Sequence, residues 1–172
     1  MHARPATPDD AVAIAAIYND GIADRVATFE TRPRTAAEVA VWFDGVHPIV
    51  VIEEEPGDSD LTARPVGEII AFAATSTYRP RQCYAGIAEF SVYTSRAARG
   101  RGAGRMAMEA LIEAARASGL WKLVSRVFVD NAASRALLCS VGFREVGVYE
   151  KHAPLDGVWR DVVIVERLIL EN

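Results

Sequence analysis

The stretch Arg99-Gly-Arg-Gly-Ala-Gly104 packs three glycines and two arginines into six residues, directly ahead of a helix-like run over 106–116. Glycine in a regular element costs backbone entropy, so three at alternate positions need a reason. One reading is an anion cradle. Glycines let backbone N–H groups turn inward, the helix N-terminus adds the positive end of its dipole, and arginine adds charge. The other reading is a solvated turn that merely caps a helix. A nucleotide-triphosphate loop would need Lys-Ser or Lys-Thr after the glycines, where Arg105-Met106 stands. A dinucleotide fingerprint needs Gly-x-Gly-x-x-Gly, whereas Gly100, Gly102 and Gly104 alternate strictly.

Other residues could do chemistry. Glu89 opens the apolar segment Glu89-Phe-Ser-Val-Tyr-Thr94, where a carboxylate could take a proton from an amine or simply face solvent. Tyr78-Arg-Pro-Arg81 carries two arginines, whose planar forks suit carboxylate or phosphinate oxygens, or which stand in a solvated loop. Asn131 is placed to cap a helix. Phe29 is equally a core anchor or a site residue. Cys139, in an apolar helix, reads as a small buried hydrophobe. Glu53-Glu-Glu55 reads as a solvated strand end, and His2, His47 and His152 form no recognisable arrangement.

These residues need elements to hold them. Thr7-Pro8-Asp9-Asp10 predicts a helix start, with Thr7 as N-cap and the helix running over 8–18. Thr35-Ala-Ala-Glu38 is a capping box that opens a second helix through Phe43. Strands are expected over 48–52, 66–77 and 85–94, with a polar hairpin connection over 53–65. Met108, Leu111, Ile112 and Ala115 share one face of the 106–116 helix, and Gly119 stands where its C-cap belongs. A strand over 122–129 follows, then a short helix from Asn131 ended by Gly142. Two last strands, over 144–151 and 158–168, are joined by a turn at 154–157. The predicted order is strand, two helices, three strands, helix, strand, helix, two strands, which implies one central sheet with helices packed on it.

The whole chain fits that picture. Its 172 residues are enough for one self-sufficient domain, and composition is that of an ordinary soluble protein, with 51% hydrophobic and 24% charged residues. A net charge of −4 argues against a nucleic-acid surface, although Arg96, Arg99, Arg101 and Arg105 concentrate charge locally. Two cysteines, Cys83 and Cys139, do not make a disulfide framework or a metal-ligand spacing. The beginning of the chain lacks the apolar stretch of a signal peptide, and no run approaches membrane length. The expectation is a cytoplasmic protein without metal, membrane or nucleic-acid partner.

Arg99-x-x-Gly102-x-Gly104 between a central strand and a long helix, followed by Asn131 and Val141-Gly142-Phe143, resembles the GCN5-related N-acetyltransferases (GNAT). Within them, Arg4-Pro-Ala-Thr-Pro-Asp-Asp10, Thr28-Phe-Glu30, Glu89-Phe-Ser-Val-Tyr93 and Gly157-Val-Trp-Arg-Asp161 are similar to the phosphinothricin, methionine sulfoximine and arsinothricin acetyltransferases. The resemblance implies an α+β GNAT fold, a central mixed, mostly antiparallel sheet flanked by helices, in a single domain over 1–172. It implies transfer of the acetyl group of acetyl-CoA to the α-amino group of a toxic glutamate analogue, which gives resistance. Glu89 is then the catalytic base. Val92, Tyr93 and Thr94 offer backbone bonds to the pantetheine arm. Arg99, Gly100, Arg101, Gly102, Ala103, Gly104 and Arg105 hold the pyrophosphate, and Asn131 contacts the arm. Phe29, Glu30, Tyr78, Arg79 and Arg81 bind the substrate, whose side-chain head is anionic or tetrahedral. A homodimer is implied as well. One departure stands out: many GNAT enzymes carry a tyrosine near the departing thiolate, and here Leu138 fills that position, which leaves the general acid open. Acetylation of another small amine and a non-catalytic acetyl-CoA sensor are the alternative functions.

Overall fold

The computed structural model describes residues 1–54 and 67–169; of the polar connection expected over 53–65, all beyond Glu54 lies outside the described residues. The elements are β1 (His2–Pro5), α1 (Ala11–Asp24), α2 (Ala36–Ala40), β2 (Ile49–Glu54), β3 (Glu68–Thr77), β4 (Ile87–Thr94), α3 (Ala103–Ala117), β5 (Lys122–Phe128), α4 (Ala132–Ser140), β6 (Arg144–Leu155) and β7 (Val158–Leu168). The seven strands form one sheet in the order β1-β2-β3-β4-β5-β7-β6. Every neighbouring pair is antiparallel except β4 and β5. The expected α+β architecture, a mixed and mostly antiparallel sheet with helices packed on it, is present.

Alternation along the inner strands divides the core between two faces. Val50 and Ile52 of β2 point to the side of α3, where Met108, Leu111 and Leu123 are fully buried. Val51 and Phe72 point the other way, onto Ile14, Ile17 and Ile22 of α1. Strands buried on both faces read as continuous apolar runs, as Ile49-Val-Val-Ile52 does.

Local signals account for most boundaries. The Thr35 hydroxyl accepts from Glu38 N–H at 3.2 Å and the Glu38 carboxylate accepts from Thr35 N–H at 2.8 Å, the two halves of a capping box. Helix α2 nevertheless ends at Ala40, short of Phe43, and the chain tightens into a turn in which Trp42 N–H donates to Val39 O. At the first predicted helix, Pro8–Asp10 forms a single 3-10 turn and the α-helix starts at Ala11, continuing to Asp24. Arg4 reaches this turn from β1, donating to both oxygens of Asp10 at 2.8 and 2.9 Å and to Glu53 at 2.7 Å. Glu53 is therefore a tie between strands β1 and β2, not a solvated strand end. Gly119 (φ +78°) closes α3 as expected, with Leu120 N–H donating to Ala115 O. The last hairpin differs from the expected one. Pro154 pairs with Trp159 inside the ladder, and the turn is the two-residue Asp156-Gly157 with φ of +49° and +80°. Two left-handed residues match the twist of the strands they join. Strand β6 thereby extends to Leu155, bulging between Tyr149 and Ala153.

Candidate active site

The two parallel strands part company. Pairing between β4 and β5 runs only from Ile87↔Lys122 to Glu89↔Val124, and beyond it the Ser125 hydroxyl donates to Phe90 O at 2.9 Å. On its other side β4 stays in register with β3 up to Ala71↔Thr94. Ser95 N–H donates to Ile70 O, which makes that pair a hydrogen-bonded one. Hydrogen-bonded and non-hydrogen-bonded pairs alternate along an antiparallel ladder. Ser91 and Tyr93 therefore exchange bonds with β3, while the backbone groups of Phe90, Val92 and Thr94 point toward β5. Sequence reading grouped Val92 and Thr94 with Tyr93. Val92 and Thr94 offer backbone groups to the opening. Tyr93 instead sends its side chain against Tyr18 (4.8 Å between ring centroids) and Phe72. Burial there pushes its hydroxyl far above the usual tyrosine value.

Two cavities meet at this opening. The first, about 440 Å³, contains most of the residues singled out for the cofactor: Val92, Tyr93, Thr94 and Asn131 with Arg99, Gly100, Gly102, Ala103, Gly104 and Arg105. Gly100 (φ +74°) and Gly102 (φ +90°) are left-handed, and a Cβ built on either meets no atom within 4 Å. The requirement at both is conformational. Gly102 caps α3, whose first N–H groups have no partner within the helix and whose dipole is positive at that end. Asn131 accepts from Ser134 N–H at 3.1 Å as the cap of α4, and its amide also donates to Val26 O at 3.0 Å. Both proposed roles of Asn131 are compatible with this placement.

The arginines of the loop are all engaged by carboxylates. Arg99 holds Asp24 at 2.6 Å, Arg105 holds Glu109 at 2.8 Å, and Arg96 joins Asp20 and Asp24 at 2.9 and 2.7 Å. Hydrogen bonds from Arg96 hold the Asp24 carboxyl below its ordinary range, against the effect of burial, and Arg99 adds to this. Arg101 lines neither cavity; it pairs with Glu54 on β2.

The second cavity, about 560 Å³, shares Ala27, Val92, Tyr93, Asn131 and Ser134 with the first. Glu89, Phe29 and Glu30 line it, as expected from the sequence. Phe29 stacks edge-on against Phe128 at 4.8 Å, and Glu30 accepts twice from Arg34 at 2.6 Å. Leu138 lines the same cavity and is fully buried. Cys139 is exposed, contrary to the buried hydrophobe expected, because α4 turns it outward one residue past Leu138.

Several residues of this cavity were not singled out from the sequence, among them three with ionisable side chains. Arg126 from β5 donates to the Glu89 carboxylate, His152 arrives from β6, and Tyr18 from α1. Conversely, Tyr78, Arg79 and Arg81 line none of the described cavities. They occupy the turn after β3, whose Ser76 is opposite Glu89, and Arg79 lies over the Tyr78 ring at 5.2 Å. Among the described residues no cluster of His, Cys, Asp and Glu could hold a metal ion, and no helix is long and apolar enough to cross a membrane.

The model of the acetyltransferase (GNAT) family matches residues 15–143. The L-methionine sulfoximine/L-methionine sulfone acetyltransferase of Pseudomonas paraeruginosa is 32% identical over 167 residues, 95% of this chain and 91% of that protein. A GNAT superfamily phosphinothricin acetyltransferase from Sinorhizobium meliloti, solved with acetyl-CoA, superposes with a TM-score of 0.84 at 28% identity, covering 96% of this chain and 86% of that one. A ribosomal-protein-alanine N-acetyltransferase from Brucella melitensis superposes with a TM-score of 0.86 at 29% identity, covering 98% and 99%.

Proposed function

This chain belongs to the GNAT acetyltransferase family, and on that footing we propose that it acetylates the α-amino group of a small glutamate-like amino acid whose side-chain head is anionic or tetrahedral. It is an acetyl-CoA-dependent N-acetyltransferase. Phosphinothricin, arsinothricin and methionine sulfoximine are the substrates proposed, and their acetylation would confer resistance.

One observation carries the reading. The cavity that holds Glu89 adjoins the glycine-loop cavity, the two sharing Val92 and Asn131 in their walls. Residues fit for the nucleotide end of acetyl-CoA are thus joined to a carboxylate fit for an amine. Gly100 and Gly102 with the start of α3 would hold the pyrophosphate, and Val92 and Thr94 the arm. When bound, acetyl-CoA supplies an activated acetyl thioester. Glu89 takes a proton from the incoming ammonium, since only the neutral amine is a nucleophile. Val92 N–H would polarise the thioester carbonyl oxygen. Leu138 carries no proton, so it cannot protonate a departing thiolate. Phe29 and Phe128, in edge contact at 4.8 Å, give the amine side an apolar wall.

The role proposed for Arg79 and Arg81, reading the head group, rests on the resemblance and on their loop following β3, whose Ser76 is opposite Glu89; neither arginine lines the Glu89 cavity. A homodimer is supported by the exposed apolar surface of the last hairpin, where Val146, Val148, Tyr149, Val158 and Trp159 stand in solvent. Both cysteines are free and exposed, which fits a reducing cytoplasm.

Thiol release from acetyl-CoA with a panel of amines tests the function. Phosphinothricin, arsinothricin and methionine sulfoximine should be acetylated faster than glutamine or a peptide N-terminus. Release with the peptide alone would replace the reading by peptide acetylation. Tight acetyl-CoA binding without release for any amine would make the protein a sensor.

A further inference from the structure

Glu89 and Arg126 form a pair whose placement follows from strand register. Glu89 is opposite Val124 across the parallel pairing, so Arg126, two residues on, projects from the same face one step toward the opening. The two side chains meet inside the 560 Å³ cavity, where Arg126 Nη2 donates to Glu89 Oε1. Neither is sealed off: their side chains are 42% and 30% exposed. Among the described residues lining this cavity, Arg126 is the one lysine or arginine. Glu30, the other carboxylate there, is already matched by Arg34 through both oxygens.

We propose that Arg126 reads the α-carboxylate of the substrate, so that Glu89 and Arg126 together recognise the zwitterionic end of an α-amino acid. An α-amino acid carries its ammonium and its carboxylate on one carbon. A carboxylate and a guanidinium side by side present the complementary pair of charges. The ammonium docks on Glu89, the group that must receive its proton, and the carboxylate docks on Arg126. Guanidinium has five N–H donors in a planar fork, so Arg126 can hold the substrate while keeping its contact with Glu89. Docking at both points also fixes the amine against the base, which makes Arg126 a selector for α-amino acids over simple amines. The assignment rests on the proposed function and adds to it. It leaves Arg79 and Arg81 to the distal head alone.

The test compares L-methionine sulfoximine with its α-carboxamide in the wild type and in Arg126→Met and Arg126→Lys. The carboxamide keeps the amine and removes the negative charge, and the ratio between enzymes cancels its different amine basicity. Arg126→Met should lower kcat/KM for the acid about tenfold to a hundredfold, the worth of one charge-assisted contact. The carboxamide should lose little, and acetyl-CoA affinity by calorimetry should hold, which also certifies the folded site. Arg126→Lys should recover part of the acid preference, and it carries the test if the methionine variant does not fold. Equal losses on acid and carboxamide would mean that Arg126 only positions Glu89, and an unchanged preference would remove it from recognition; either overturns the inference while leaving the function standing. A wild type that acetylates other amines but no amino acid overturns both.

Discussion

Gly104 lies so close to Thr94 that a methyl group placed on it would sit 3.2 Å from the threonine hydroxyl oxygen and 3.3 Å from Leu137 Cδ2. Gly104 thus lets α3 approach β4 and α4, whereas Gly100 and Gly102 serve the left-handed turns of the loop. Three glycines that look alike in sequence answer two different needs.

The difference can be measured. Gly102→Ala keeps all neighbours but forces an L residue into φ +90°, at a cost of about 1–2 kcal/mol. It should weaken acetyl-CoA binding by about tenfold as the loop relaxes. Gly104→Ala should in addition push α3 off Thr94 and lower the thermal midpoint. Unchanged affinity by calorimetry in both variants would refute the pyrophosphate role of the loop.

Glu89→Gln should reduce kcat by about 100- to 10,000-fold, the usual worth of a general base, while the affinity for acetyl-CoA changes little. The amide keeps the shape of the side chain and can no longer take a proton. A near wild-type turnover between pH 6 and pH 9 would remove Glu89 from the base role.

If Arg79 and Arg81 read the anionic head, Arg→Ala at either should raise KM for phosphinothricin about tenfold or more and leave glutamine, whose head is neutral, nearly untouched. Steady-state kinetics on both substrates checks this. Equal losses on the two would show that the arginines do not read the head.

Acid stability should depend on Asp10. Hydrogen bonds from Arg4 hold its carboxyl below the ordinary range although burial works the other way. A carboxyl whose folded pKa is depressed contributes stability that is present above its unfolded pKa of about 3.9 and is lost as pH falls through the folded value. Asp10→Asn should therefore lower the melting temperature near neutral pH and flatten its decline in acid. A parallel decline in both proteins from pH 7 to pH 2 would show that the Arg4 contact does not couple to folding.

The parts of the site that were legible in sequence are contiguous: the glycine loop, Glu89 in its strand, and Asn131 capping α4. Local chemistry points to the loop and the cap, whereas Glu89 was singled out through the resemblance. Arg126 was not legible, because its partner Glu89 is 37 positions away and only the parallel register of β4 and β5 brings them together. His152 depends in the same way on a bulged strand from the far edge of the sheet. Arg101 shows the opposite failure. It sits in the motif, two residues from Arg99, yet the turn sends the two toward different acids, Glu54 and Asp24. Composition of a loop tells which charges are available, and backbone direction decides where each goes.

The parting of β4 and β5 has a consequence for aggregation and for ligand response. A row of unpaired backbone groups at the rim of a sheet is a template for a foreign strand, and proteins usually hide such rows. Here the row lies in the interior of the sheet, with α1 contributing Gly21 and Asp24 to one wall and α4 contributing Ala133 and Leu137 to the other. Walls on both sides of the row suit a slender linear molecule better than a second polypeptide strand with its side chains. On the proposed function, the protein carries an adhesive edge inside itself, and a thin guest pairing with that row would mend the sheet.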